Sequence, residues 1–126
     1  MNSRYQVLAP IAEGGRGSVM RAWDGNLGRE VALKRIKPGH DQAAQAAIDD
    51  LVREARTLST LQHPNIVSVF DVGVDEEGAF IVMELVKGET LDDIIARGAL
   101  TERDFGSLVK QTLEGMIAAH SAGLIH

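Results

Sequence analysis

The spacing of apolar and polar positions divides the chain into short alternating segments and longer helical ones. Tyr5, Val7 and Ile11 share one parity and predict a first strand over residues 5–11. Pro10 removes a ladder hydrogen bond, which puts this strand at an edge or Pro10 near its end. Glycines follow, then a strand-like segment beginning at Val19, a turn cluster at Asp24-Gly25-Asn26-Leu27-Gly28, and a third strand over residues 30–36 closed by Pro38-Gly39. Asp41 is placed as N-cap of a helix predicted to reach Gln62, with Ile48, Leu51, Ala55, Leu58 and Leu61 as its apolar stripe. Pro64 stops that helix by disfavouring helical geometry at His63. Residues 66–72 predict a strand, residues 73–78 a hairpin connection, and residues 79–86 a buried strand. Thr90 caps a short helix over residues 91–96, stopped by Gly98. Thr101 caps a last helix with apolar positions Phe105, Leu108, Val109, Leu113, Met116, Ile117 and His120. Gly106 and Gly115 each weaken it by about 1 kcal/mol relative to alanine, so packing must hold it together.

Composition narrows the class. With 126 residues, 44% hydrophobic and 25% charged, the chain is one small soluble globular domain or part of a larger one. A net charge of −5 argues against a nucleic-acid or polybasic membrane surface as the partner. The absence of cysteine removes disulfides and thiolate metal sites. No apolar run approaches the length of a membrane-spanning helix.

Two charged residues stand out. Ala32 and Lys34 share a strand face, and a small residue beside a lysine leaves room for a flat ring. Glu54 falls on the apolar stripe of its helix, and its i±3 and i±4 neighbours are Leu51, Thr57, Asp50 and Leu58. A core-facing carboxylate needs a partner from elsewhere in the fold, and Lys34 is the obvious one. The other reading is a glutamate at the stripe's edge that reaches water. Asp49 and Arg53 read as an ordinary i,i+4 surface pair, and His63 as structural. Asp93 reads as part of a helix cap before it reads as a ligand.

Glu13-Gly14-Gly15-Arg16-Gly17-Ser18 is a candidate phosphate loop, since glycines admit close backbone approach and let amides line an anion. A P-loop requires Gly-Lys-Ser/Thr, whereas Gly17 is followed by Ser18-Val19. A dinucleotide fingerprint requires a helix directly after the glycines, and the turn at residues 24–28 leaves too little room. What remains is strand, glycine turn, strand, turn, strand, with Lys34 reaching in from the third.

These residues resemble the protein-kinase loop G-x-G-x-x-G-x-V followed by V-A-I-K. Ala12, Gly14, Gly17 and Val19 fall on the loop positions and Val31-Ala32-Leu33-Lys34 on the lysine strand; the first glycine of the pattern is alanine here. His63-Pro64-Asn65-Ile66 resembles the turn after the main kinase helix, and Leu124-Ile125-His126 the run into the H-R-D catalytic loop, with the sequence ending at that histidine. The glycine loop and this turn look most like those of bacterial serine/threonine kinases.

The resemblance implies an α+β fold: a kinase small lobe over residues 1–86, made of an antiparallel five-stranded sheet and one main helix, and two helices of an incomplete large lobe over residues 87–126. It implies that Ile11, Ala12, Glu13, Gly14, Gly15, Arg16, Gly17, Ser18 and Val19 cover ATP, with Ile11 and Val19 roofing adenine. Ala32 packs on adenine, Lys34 contacts the α- and β-phosphates, and Glu54 holds Lys34. Met83 is the gatekeeper, while the Glu84 carbonyl and the Val86 amide bond the adenine edge. Magnesium ligands, the catalytic Asp and the activation segment fall beyond residue 126 in the pattern. The implied enzyme is a cytoplasmic kinase that transfers the γ-phosphoryl of ATP to serine or threonine of a protein substrate. The alternative is a catalytically dead, pseudokinase-like binding module. For residues 1–126 alone the expectations are weak, magnesium-insensitive nucleotide binding, no turnover, and self-association through the last helix.

Overall fold

The computed structural model describes residues 4–14, 17–38 and 40–124, with Glu13 and Gly14 described by backbone only. They form two compact units. The first comprises the described residues up to 62 together with 68–85, and the second residues 63–67 and those from 86 onward.

The first unit is a five-stranded antiparallel sheet with one helix. Its strands are β1 (Tyr5–Gly14), β2 (Gly17–Asp24), β3 (Arg29–Ile36), β4 (Val69–Asp75) and β5 (Gly78–Met83), in the order β1-β2-β3-β5-β4. The helix α1 (Gln42–Ser59) lies between β3 and β4 in the chain. Strand β1 is an edge, where Pro10 costs little, and its register shifts between Val7 and Ala9 and between Pro10 and Ala12. It is longer than residues 5–11 because those irregularities let pairing resume and run to Gly14↔Gly17.

Both faces of the sheet are apolar. Tyr5, Ala22, Val31, Leu33, Phe80 and Val82 form one cluster, joined by Phe70. Cations cover part of that face: Arg29 stacks over Phe70 at 4.0 Å and Arg35 over Phe80 at 5.4 Å. Arg35 is held by two 2.7 Å bonds to Asp75, and Asp24, fully buried, accepts from Arg4 at 2.9 and 3.0 Å and from the amides of Asn26 and Leu27. The Tyr5 hydroxyl donates to Asp71 at 2.8 Å. The opposite face packs Ile36, Ala79 and Ile81 against Val52 and Ala55 of α1, with Ile48, Val69, Val72 and Met83 at the margin.

Asp41 caps α1 as expected, accepting from the Ala44 amide at 2.7 Å. The buried face of α1 differs from the expected stripe. Val52 is buried, whereas Leu51 is 37% exposed, so the sheet takes the face through Ile48, Val52 and Ala55. The helix ends at Ser59 rather than Gln62, because the Thr60 and Leu61 amides turn to Thr57 and Leu58 in tighter i→i−3 bonds. The expected Asp49–Arg53 pair is replaced: Arg53 bonds Asp50 at 2.9 Å and Asp49 accepts from Gln45 at 3.1 Å. Strand β4 begins at Val69 rather than Ile66, since residues 63–67 belong to the second unit. Strand β5 stops at Met83, where the Glu84 amide turns to the Ser68 carbonyl at 2.8 Å.

The second unit holds α2 (Leu91–Ala96) and α3 (Glu102–Ser121). Thr90 and Asp93 form a reciprocal capping box at the start of α2, and Thr101 caps α3 through the Asp104 amide. Residues 63–67 lie on α3, with Asn65 donating to Gln111 at 3.2 Å. The contact explains Gly115: a Cβ there would stand 3.1 Å from the Asn65 carbonyl oxygen. Glycine thus trades helix propensity for close approach.

Candidate functional site

Register, more than any single residue, assembles the candidate site. Strand partners in an antiparallel sheet point to the same face. One row runs Ala12, Val19, Lys34, Ile81, Val72, and a second runs Ala9, Arg21, Ala32, Met83, Val69. Val19, Ala32, Lys34 and Met83, chosen from three separate stretches of sequence, therefore stand in two adjacent rows of one face. Ala32 is buried between the second-row neighbours, and the Lys34 side chain beyond it is exposed. Arg21 is neutralised by Glu30 at 2.7 Å, which leaves Lys34 as the unpaired cation of these two rows among the described residues.

The glycine loop closes the same edge. Gly17 has φ +152°, and a Cβ on it would collide with the Arg35 backbone carbonyl across the β2–β3 ladder. Only glycine lets β2 start this close to β3, the strand that carries Lys34. Ile11 and Ala12 are exposed on β1, Ser18 and Val19 are half-buried on β2, and Gly15 and Arg16 lie outside the described residues.

Glu54 and Lys34 are not paired: among the described residues no ion pair involves either one. The expectation that Glu54 sits on the core-facing stripe is corrected by the same roll that buried Val52. At about 100° per residue, Glu54 lies about 100° from Ala55 and about 160° from Val52. It is half-buried on the flank of α1.

After β5, Glu84 is held twice by Ser68. Its amide donates to the Ser68 carbonyl at 2.8 Å, and its carboxylate accepts from the Ser68 amide at 3.2 Å. The sequence reading assigned only backbone work to this residue. The one available signal was a carboxylate ending an apolar run, which does not name its partner. Val86 is exposed in the second unit.

Among the described residues no group of three or more His, Asp or Glu side chains comes together to hold a metal. Among the described residues the face thus offers one unpaired cation, an apolar bed with a small residue at its centre, and Gly17 at the start of β2. That combination suits a flat ring joined to an anion.

Comparison with known proteins gives the family of the chain. Residues 5–126 match the protein kinase domain family. The chain is 39% identical to serine/threonine-protein kinase pkn2 of Myxococcus xanthus, covering all of this chain and 15% of that protein. It is 40% identical to PknA of Mycobacterium tuberculosis (strain ATCC 25618 / H37Rv) and 36% to PrkC of Bacillus subtilis (strain 168), again over the whole chain and over 30% and 19% of theirs. The chain therefore spans less than a third of the length of these relatives. Among solved structures it is similar to the apo form of PpkA-294, with a TM-score of 0.66 and 25% identity over 76% of this chain and 40% of that one.

Proposed function

Because the chain belongs to the protein kinase family, we propose that its Lys34 face is the ATP-binding face of a serine/threonine kinase, which transfers the γ-phosphoryl to a protein hydroxyl. Residues 1–86 form the small lobe in this reading, and residues 87–126 begin the large lobe. The observation that carries it is the shared register of Val19, Ala32, Lys34 and Met83, with Gly17 pressed onto β3 beside them.

ATP supplies the phosphoryl group and its leaving group. Each residue then has a distinct task. The Lys34 ammonium is a compact point charge that meets the α- and β-phosphates and orients them. The Glu13–Ser18 turn offers amides to the phosphates and excludes water. Ile11 and Val19 roof the adenine, Ala32 gives it a flat bed, and Met83 closes the back. The Glu84 carbonyl accepts from the adenine amine and the Val86 amide donates to the ring. Glu54 holds Lys34 after α1 has rolled by the angle that now separates its carboxylate from the buried face. In the family pattern the magnesium ligands belong to motifs other than those found in residues 1–126. No helix among the described residues is long and apolar enough to cross a membrane, and the reading places this domain in the cytoplasm.

The test is phosphoryl transfer to a generic protein substrate by a longer chain that carries the rest of the domain. Lys34→Met is expected to abolish most of the turnover, and Glu54→Gln to lower kcat while leaving the fold intact. Unimpaired turnover in Lys34→Met would refute the assignment.

A further inference from the structure

The β4–β5 ladder stops halfway through a pair. Val69 stands opposite Met83, so Ser68 and Glu84 are the next residues to face each other. Both belong to the first unit. In a hydrogen-bonded antiparallel pair the two residues exchange two bonds, each amide donating to the other's carbonyl. Here only one of them is made by backbone. The Glu84 amide donates to the Ser68 carbonyl at 2.8 Å, but the Ser68 amide donates to Oε2 of the Glu84 carboxylate at 3.2 Å. Among the described residues no backbone bond runs from the Ser68 amide to the Glu84 carbonyl. The side chain of Glu84 has thus taken the donor that its own main-chain oxygen would receive if β5 ran one residue further.

This substitution has a consequence for the carbonyl. A Glu84 carbonyl drawn into the ladder is aimed at β4, and its second lone pair does not restore the direction. With the Ser68 amide already satisfied, the carbonyl stays out of the sheet. Resting on the reading of the Lys34 face as the nucleotide site, we propose that Glu84 is a positioning residue for the base. Its carboxylate holds the Ser68 amide and so leaves the Glu84 carbonyl to accept from the exocyclic amine of a 6-aminopurine. Shortening the side chain sets the Ser68 amide and that amine in competition for one oxygen. The acceptor matters more than the charge: a glutamine side-chain oxygen can take the same bond, and an alanine cannot.

The test titrates the 126-residue chain with adenosine and with purine riboside, which has the same ring system and sugar without the amine, followed by NMR of the backbone amides. Glu84 is exposed, so Glu84→Ala and Glu84→Gln should keep the fold, which circular dichroism checks. Glu84→Ala is expected to lose about three- to tenfold in adenosine affinity, the range of one neutral hydrogen bond, and to bind purine riboside as the parent does. Glu84→Gln is expected to bring adenosine back to within about twofold of the parent. The proposal is overturned if Glu84→Ala binds adenosine like the parent, if it loses both nucleosides equally, or if Glu84→Gln behaves as Glu84→Ala does. Lys34→Met reports on the nucleotide reading separately. A loss of ATP binding there, with adenosine indifferent to Glu84→Ala, overturns this proposal and leaves that reading in place. A parent chain that binds neither nucleoside overturns both.

Discussion

Replacing Gly17 with alanine perturbs the fold and the site at one atom. The added Cβ points at the Arg35 carbonyl, which is backbone and cannot swing aside. Two costs add. Holding an L-residue at φ +152° costs of order 1–3 kcal/mol. Relieving the collision then requires the first β2–β3 pair, Gly17↔Ile36, to part. That pair is at a strand end, so the loss is local fraying, worth about one backbone hydrogen bond, or roughly 1 kcal/mol. The sum is about 2–4 kcal/mol. A chain of this size loses about 4 °C of Tm per kcal/mol, so a drop of about 8–16 °C is expected. Gly28 supplies the control: it has φ +65° and nothing within 4 Å of its would-be Cβ. Gly28→Ala should cost only about 1 kcal/mol, as the strain of αL geometry alone. Nucleotide affinity separates the two further, because only Gly17→Ala lifts the loop from the Lys34 strand. Calorimetry on both variants, with ATP titration at a temperature where each is folded, reads both effects. A Gly17→Ala variant that melts with Gly28→Ala and binds ATP like the parent would refute the reasoning.

Acid should unfold the first unit through two paired carboxylates, buried Asp24 and half-buried Asp75. The Arg4 hydrogen bond holds the Asp24 carboxyl below the usual carboxylate range, and the Arg35 hydrogen bond does the same for Asp75. A depressed folded-state pKa contributes stability that is present above the unfolded value and lost as pH falls through the folded one, so Tm should decline below about pH 4. The decline should be shallower in Asp75→Asn, which starts from a lower Tm at neutral pH; parallel curves would count against this origin. Gly115→Leu should destabilise the second unit by about 2 kcal/mol or more, because its side chain must displace Asn65 from α3, and unchanged helical melting would contradict that contact. Phe105, Leu113 and Ile117 of α3 are 59%, 52% and 65% exposed, so the 126-residue chain should self-associate, and Phe105→Asp/Ile117→Lys should return it to monomer in light scattering. A monodisperse parent would refute this.

Much of the fold was legible because strand parity and turn residues are local signals. The Asp24–Gly28 turn, the Asp41, Thr90 and Thr101 caps and the pairing of Ala32 with Lys34 each follow from residues within a few positions of one another. Two things were not local. Helix α1 carries Ile48, Leu51, Val52, Ala55 and Leu58, enough apolar positions for two overlapping stripes. The sheet selects the one through Val52, and that choice turns Glu54 from the core to the flank. Likewise, nothing near Ile66 in sequence reveals that residues 63–67 pack on α3, which delays β4 to Val69. At the site, the strand residues could be chosen by motif, but their common rows came only from register. The Glu84 clasp on Ser68 spans sixteen residues and leaves no local trace.

The role of Lys34 is measured most directly by comparing ATP with adenosine on the parent chain and on Lys34→Met. Lys34 is exposed and makes no ion pair among the described residues, so the substitution leaves packing alone. A lost charge–phosphate interaction of about 1.5–3 kcal/mol corresponds to a decrease in ATP affinity of about ten- to a hundredfold. Adenosine, which lacks phosphates, should bind both proteins equally. Equal ATP binding by both, or a matching loss for adenosine, would contradict the assignment of this face to the nucleotide.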